Sequence, residues 1–208
     1  MTRIRRGRGS GPFETEAERW VEAEGQGCRL LARCPKGLDP DPLLAIEAVA
    51  GLILEGEPKA GLVARIHAAG RAAFLIDDVE GVRPLGADGV LLRDPSAVAE
   101  ARRTLDRGEL IGAMVGQTRH AAMVAGEDGA DYVLFGAAGA VPAGGLEALA
   151  AHVAWWTGIA VLPCVVAGRL SLDDARRLAS AGADFLLPDL DDAAGLAALA
   201  AALPAPER

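Results

Sequence analysis

The sequence predicts an α/β fold, and within that class a (β/α)₈ barrel of the TIM type. From Cys28 onward, short apolar runs alternate with Ala-, Leu- and Arg-rich stretches of helical character, the rhythm of repeated βα units around a parallel sheet. Eight such runs can be counted, which is the barrel number. The chain is 51% hydrophobic but only 4% aromatic, so its apolar content is mostly Ala, Val and Leu, residues suited to strands buried on both faces.

Strands are expected over 29–33, 50–55, 72–77, 89–93, 110–115, 132–136, 160–166 and 185–188. Between them, Ser96 is expected to cap a helix over 97–105, Thr118 to open one running to 125, and Ser171 to open one over 172–181. Gly126, Gly129, Gly158 and Gly182 are expected to end helices or precede strands. One phrase occurs three times: Gly86-Ala87-Asp88, Gly129-Ala130-Asp131 and Gly182-Ala183-Asp184 each stand between a helix and the next strand. Helix termination by the glycine and turn hydrogen bonding by the aspartate account for it. A doubly wound open sheet is the competing architecture, because βα rhythm alone does not show closure.

At 208 residues the chain suits one domain, since domains run to about 100–200 residues. The barrel is assigned to 28–208, preceded by a tail of 1–27 in which residues 14–24 can form a helix around Trp20 and cover one end of the barrel. The tail begins with a basic run, Arg3 to Arg8, that no apolar segment follows, so a secretory signal is not expected and the cytoplasm is the expected compartment. A net charge of −8 argues against a general positive field for nucleic acid or an anionic membrane, and neither is expected as a partner. Cys28, Cys34 and Cys164 lack the spacing of a metal or redox site and are expected to be inert thiols.

Read together, Cys28-Arg29-Leu30-Leu31, Leu75-Ile76-Asp77-Asp78, Gly86-Ala87-Asp88-Gly89-Val90-Leu91-Leu92, Ile111-Gly112, Gly129-Ala130-Asp131-Tyr132-Val133 and Gly168-Arg169-Leu170-Ser171-Leu172-Asp173-Asp174-Ala175 resemble the thiamine phosphate synthase family and its thiazole-tautomerising relatives. The order and spacing fit from about Cys28 to Leu203. The resemblance implies a (β/α)₈ barrel that joins an aminopyrimidine diphosphate to a thiazole phosphate and releases pyrophosphate with Mg²⁺. It places the metal at Asp78 and Asp94, hard carboxylates after the third and fourth strands, and phosphorylated substrates near Asp77, Arg93, Gly168, Arg169 and Asp189.

Several positions depart from the family pattern. The second strand, where cations grip the diphosphate, reads Leu52-Ile53-Leu54-Glu55-Gly56-Glu57; acidic groups there repel an anion, leaving Lys59 or Arg93 to substitute. Met114 and Gly116 stand where a Ser and a His or Thr are expected, and the hydroxyl-rich sixth loop is replaced by residues 136–145, rich in Gly and Ala. Arg169 replaces the second glycine of a Gly-Gly pair and can clamp a phosphate. After the eighth strand Leu187-Pro188-Asp189-Leu190 removes a backbone donor and adds a charge, so an ion pair between Arg169 and Asp189 is expected. His67, His120 and His152 fall in helices, and Trp155-Trp156 reads as helix packing or the face of a homodimer.

Three functions follow. One is the family's Mg²⁺-dependent transfer. Another is a barrel of the same ancestry binding a different small molecule or a protein partner, and the third is an enzyme for an uncharged or cationic ligand held in an acidic mouth of Glu55, Glu57, Asp77, Asp78, Asp94 and Asp189.

Overall fold

The computed structural model of the chain describes residues 27–58, 60–137, 145–190 and 192–203. The expected helix around Trp20, Lys59 and residues 138–144 of the sixth loop lie outside the described residues. Eight parallel strands close on themselves in sequence order: β1 Arg29–Cys34, β2 Val49–Leu54, β3 Ala72–Ile76, β4 Gly89–Leu92, β5 Leu110–Gly116, β6 Tyr132–Gly136, β7 Cys164–Gly168 and β8 Phe185–Pro188. Closure comes from β1 pairing with β8, through Arg29 with Phe185 and Leu30 with Leu186. The open sheet is thereby excluded. A helix follows each strand: α1 Asp41–Leu44, α2 Ala60–Ala68, α3 Val82–Leu85, α4 Val98–Thr104, α5 Arg119–Asp128, α6 Gly145–Ile159, α7 Leu172–Ser180 and α8 Ala193–Ala202.

The period of two along each strand divides the apolar residues into two layers. Leu31, Phe74, Leu91, Tyr132, Leu134 and Phe185 fill the barrel interior. Leu30, Leu52, Leu75, Val90, Val133 and Val166 point outward beneath the helices, where they meet Val63, Ile66, Trp156 and Leu178. Inside, Phe74 and Tyr132 pack edge to face with centroids 5.7 Å apart. Gly112 makes room for that contact, since a Cβ there would lie 2.1 Å from Tyr132 Cζ. No helix among the described residues is long and apolar enough to cross a membrane.

Two expectations about element ends are corrected. The seventh strand runs over Cys164–Gly168 rather than from 160, because Ala160 still donates to Trp156 at the end of α6 and the Leu162 carbonyl accepts the Trp156 indole N–H. Gly126 and Gly158 lie inside α5 and α6, whereas Gly129 and Gly182 do stand at helix ends, with φ of 105° and 101°.

The repeated Gly-Ala-Asp phrase builds one junction three times. Gly86, Gly129 and Gly182 all adopt positive φ, which only glycine takes without strain. The following N–H groups of Ala87, Ala130 and Ala183 return to the carbonyls of Val82, Ala125 and Leu178. Each aspartate then grips the start of the preceding strand twice. The Asp88, Asp131 and Asp184 N–H groups donate to the carbonyls of Ala73, Ile111 and Cys164, and their carboxylates accept from the N–H groups of those same residues at 2.7, 2.9 and 2.8 Å. Asp131 is buried and also holds the Arg102 guanidinium, whose remaining donors reach the carbonyls of Gly129, Asp106 and Glu109.

Asp131→Ala strands the Ile111 N–H and the Arg102 charge, and should cost about 2–3 kcal/mol in urea unfolding, the scale of a buried acceptor lost from a charged partner. A loss below about 0.5 kcal/mol, an ordinary surface effect, would show that the junction is ornamental.

Candidate active site at the strand ends

At the ends of β3 and β4 the backbone and side chains are locked together. Asp77 takes a left-handed conformation, φ 54°, which Asp tolerates better than most residues. Its Oδ1 accepts the Arg93 N–H at 2.8 Å, and its Oδ2 pairs with the Arg93 guanidinium Nε. The neighbouring carboxylates do local work. Asp78 Oδ1 accepts the Gly81 N–H at 2.9 Å, and Asp94 Oδ1 accepts both the Ser96 N–H at 2.9 Å and its hydroxyl at 2.7 Å. These hydrogen bonds, the hydroxyl's foremost, hold the Asp94 carboxyl below its ordinary value. The cap expected at Ser96 is therefore Asp94, because a carboxylate at that position accepts the N–H two residues on and starts a 3₁₀ turn over Pro95–Ala97 before α4.

Across the mouth, Arg33 occupies the sector where β1, β2 and β8 meet. Its Nε donates to Glu55 Oε1 at 2.7 Å and its Nη1 to Asp189 Oδ1 at 2.6 Å. The hydrogen bond it donates to Glu55 is the main reason the guanidinium's affinity for its proton rises. Arg169 stands 3.8 Å from Asp189 by Nε–Oδ2 and is otherwise well exposed. Asp189 is thus shared by two arginines, with Arg33 the closer. Gly168 pairs with Pro188, and its carbonyl accepts the Asp189 N–H at 2.9 Å.

Arg33 was absent from the residues singled out in the sequence. Its signal is positional: it lies two residues beyond interior Leu31, at the end of a strand whose neighbour ends in Glu55. Met114 packs against the interior cluster, so an apolar side chain fills the place of the missing hydroxyl.

The histidines and cysteines serve the scaffold. His67 Nε2 lies 2.8 Å from Asp88 Oδ2, and His152 Nδ1 lies 2.7 Å from the Ala148 carbonyl. Burial pushes the Cys28 thiol up to about 12 and raises Cys34 and Cys164 in the same direction, which keeps all three protonated near neutrality. Trp156 is buried against Phe135, while the Trp155 ring carries the Arg119 guanidinium at 4.9 Å.

The described residues bring no three His, Cys, Asp or Glu side chains together around one metal position. Mg²⁺ does not require that, because it commonly takes one or two carboxylates and completes its shell with water and substrate phosphates. Asp78 and Asp94 each commit Oδ1 to a turn, and among the described residues Oδ2 accepts no hydrogen bond in either. Their donor chemistry fits such a cation, with substrate oxygens supplying the rest.

The family model described as thiamine monophosphate synthase matches residues 58–187, more than half the chain. The chain belongs to the thiamine monophosphate synthase family. A thiamine-phosphate synthase of Hyphomonas neptunium is 43% identical over 138 residues, covering 62% of this chain and 60% of that protein. One of Rhodospirillum centenum is 33% identical over 180 residues, covering 76% of this chain and 86% of that protein. Among solved structures, a thiamine phosphate pyrophosphorylase from Pyrococcus furiosus has the same fold, with a TM-score of 0.69, 20% identity and coverage of 86% of this chain and 96% of that one. A 3-hexulose-6-phosphate synthase is also similar, at a TM-score of 0.63 and 20% identity over 84% of this chain and 99% of that one. The closed barrel has the eight strands, in sequence order, that the sequence predicts.

Arg33→Met should cost about 1–2 kcal/mol, since it leaves part-buried Glu55 without its cation and Asp189 with only the more distant Arg169. The triple change Arg33→Met, Glu55→Gln, Asp189→Asn should recover most of it in the same denaturation assay. A triple variant no more stable than Arg33→Met would refute the charge explanation.

Proposed function

We propose that the chain is a Mg²⁺-dependent transferase of the thiamine phosphate synthase type, working on phosphorylated small molecules at the strand-end rim. The observation that carries this is the Asp77–Arg93 contact, which ties together the two loops that bear Asp78 and Asp94. Asp78 and Asp94 are the ligands for Mg²⁺, which when bound neutralises the charge of a diphosphate. Asp77 orients Arg93 toward that diphosphate. Arg169, beside the Gly168 backbone, takes the phosphate of the second substrate, and Asp189 holds Arg169 at the rim.

The chemistry asks mainly for position and electrostatics. The bond from the aminopyrimidine methylene carbon to the diphosphate oxygen breaks, a bond from that carbon to the thiazole nitrogen forms, and pyrophosphate leaves with the electron pair. The reaction belongs in the cytoplasm, with neither nucleic acid nor membrane as partner, and the half-buried Trp155 on α6 is a candidate for a homodimer face.

A second reading is favoured by one feature. Glu55 stands at the end of β2 already neutralised by Arg33, where the family resemblance calls for cations. In that reading the barrel is repurposed and binds a different small molecule or a protein partner. The two separate in one assay. With both phosphorylated precursors and Mg²⁺, the transferase makes thiamine phosphate and pyrophosphate in equal amounts, and Asp78→Ala falls to background. No product from the unaltered chain would overturn the transferase and leave the repurposed barrel.

A further inference from the structure

The opposite face of the barrel holds an imbalance of charge that the rim does not use. Arg29 opens β1, and Arg71 immediately precedes β3, so both sit at the N-terminal edge and flank β2. Register fixes this placement: Leu31 pairs with Gly51, and Gly51 with Ala72. Two strand spacings separate the backbones by about 10 Å, a gap that two arginine side chains can close over the edge between them.

That edge is unlike the other three of its kind. Ala48 directly precedes β2, in the place where Asp88, Asp131 and Asp184 precede β4, β6 and β8. At two of those three junctions the carboxylate meets a cationic or titratable side chain, Arg102 on Asp131 and His67 on Asp88. Here the carboxylate is missing and the arginines are two. Between them the register slips at Leu30 and Leu31, so β2 carries an irregularity at Ala50.

Among the described residues neither guanidinium forms an ion pair with a carboxylate. Arg71 Nε is buried without a hydrogen-bond partner, and its Nη1 reaches only the Gly70 carbonyl at 3.4 Å. Partial burial, and secondarily the charge of Arg71, lower the affinity of the Arg29 guanidinium for its proton. Two like charges that act on one another and are partly desolvated, in a chain of net charge −8, are what an anion from solution would neutralise.

We infer that Arg29 and Arg71 form a second anion site on the N-terminal face of the barrel, one that takes an oxyanion of the phosphate class across the edge of β2. The site is separate from the rim, and its occupancy ties β1 to β3 at the junction that lacks an aspartate.

The test is a thermal-shift titration with inorganic phosphate, with sodium chloride at matched ionic strength as the control for screening. In the rim variant Arg169→Ala, where the phosphate contact proposed for the rim is removed, a saturable rise in melting temperature should remain with phosphate and be absent with chloride, and the further substitutions are read in that background. Arg71→Gln should weaken the apparent affinity about tenfold or more, the usual scale for losing one charge-assisted contact. Arg29→Gln should do the same, and if it fails to fold, Arg71→Gln decides alone. No phosphate-specific rise in Arg169→Ala would overturn the site, as would a rise in that background that survives Arg71→Gln.

Discussion

The barrel depends most on the doubled grip of an aspartate on the start of the strand before it. In a parallel barrel an N–H at the start of a strand can lie where the neighbouring strand offers it no carbonyl, and a buried donor left unmet costs as much as a good hydrogen bond supplies. Asp88, Asp131 and Asp184 each answer with one carboxylate and one N–H directed at a single residue. Glycine turns the chain out of the helix, alanine buries beneath it, and the aspartate sets where the next strand begins relative to its neighbour. Register follows from that, and with it which side chains enter the barrel.

The two ends of the barrel are thereby divided in their roles. At the N-terminal face carboxylates are spent on backbone N–H groups. At the C-terminal face three of them also meet arginines: Arg33 between Glu55 and Asp189, Arg93 on Asp77, and Arg169 beside Asp189. This pairing gives the rim its character. A mouth lined by unpaired carboxylates would repel phosphates, whereas one whose carboxylates are neutralised can admit them where Arg93 and Arg169 stay exposed. Arg33 is held in ion pairs by Glu55 and Asp189, whereas Arg93 at the end of β4 and Arg169 at the end of β7 remain exposed.

Much of this was legible in the sequence, for identifiable reasons. The strands could be counted because runs such as Leu110 to Val115 and Tyr132 to Gly136 are apolar on both faces, which few other elements of that length are. The Gly-Ala-Asp phrase declared its turn, because the glycine and the aspartate each have a conformational reason to be there. The start of β7 was misplaced because the apolar run from Ala160 looks like strand until the Trp156 indole is found to claim the Leu162 carbonyl, a contact between residues that no periodicity reports. Arg33 escaped for a related reason. An arginine at a strand end carries no local signature, and its partners lie 22 and 156 residues away in the chain. The cap at Asp94 was assigned to Ser96 because both residue types start helices, and only the geometry of the carboxylate separates them.

The division of the rim into a neutralised sector and an anion-binding sector is tested most directly by a crystal structure of the chain grown with Mg²⁺ and pyrophosphate. The expected result is pyrophosphate against Arg93, with Mg²⁺ between it and the carboxylates of Asp78 and Asp94, while Arg33 keeps its contacts to Glu55 and Asp189. Pyrophosphate seated at the end of β2, with Arg33 withdrawn from Glu55 to hold it, would contradict the division.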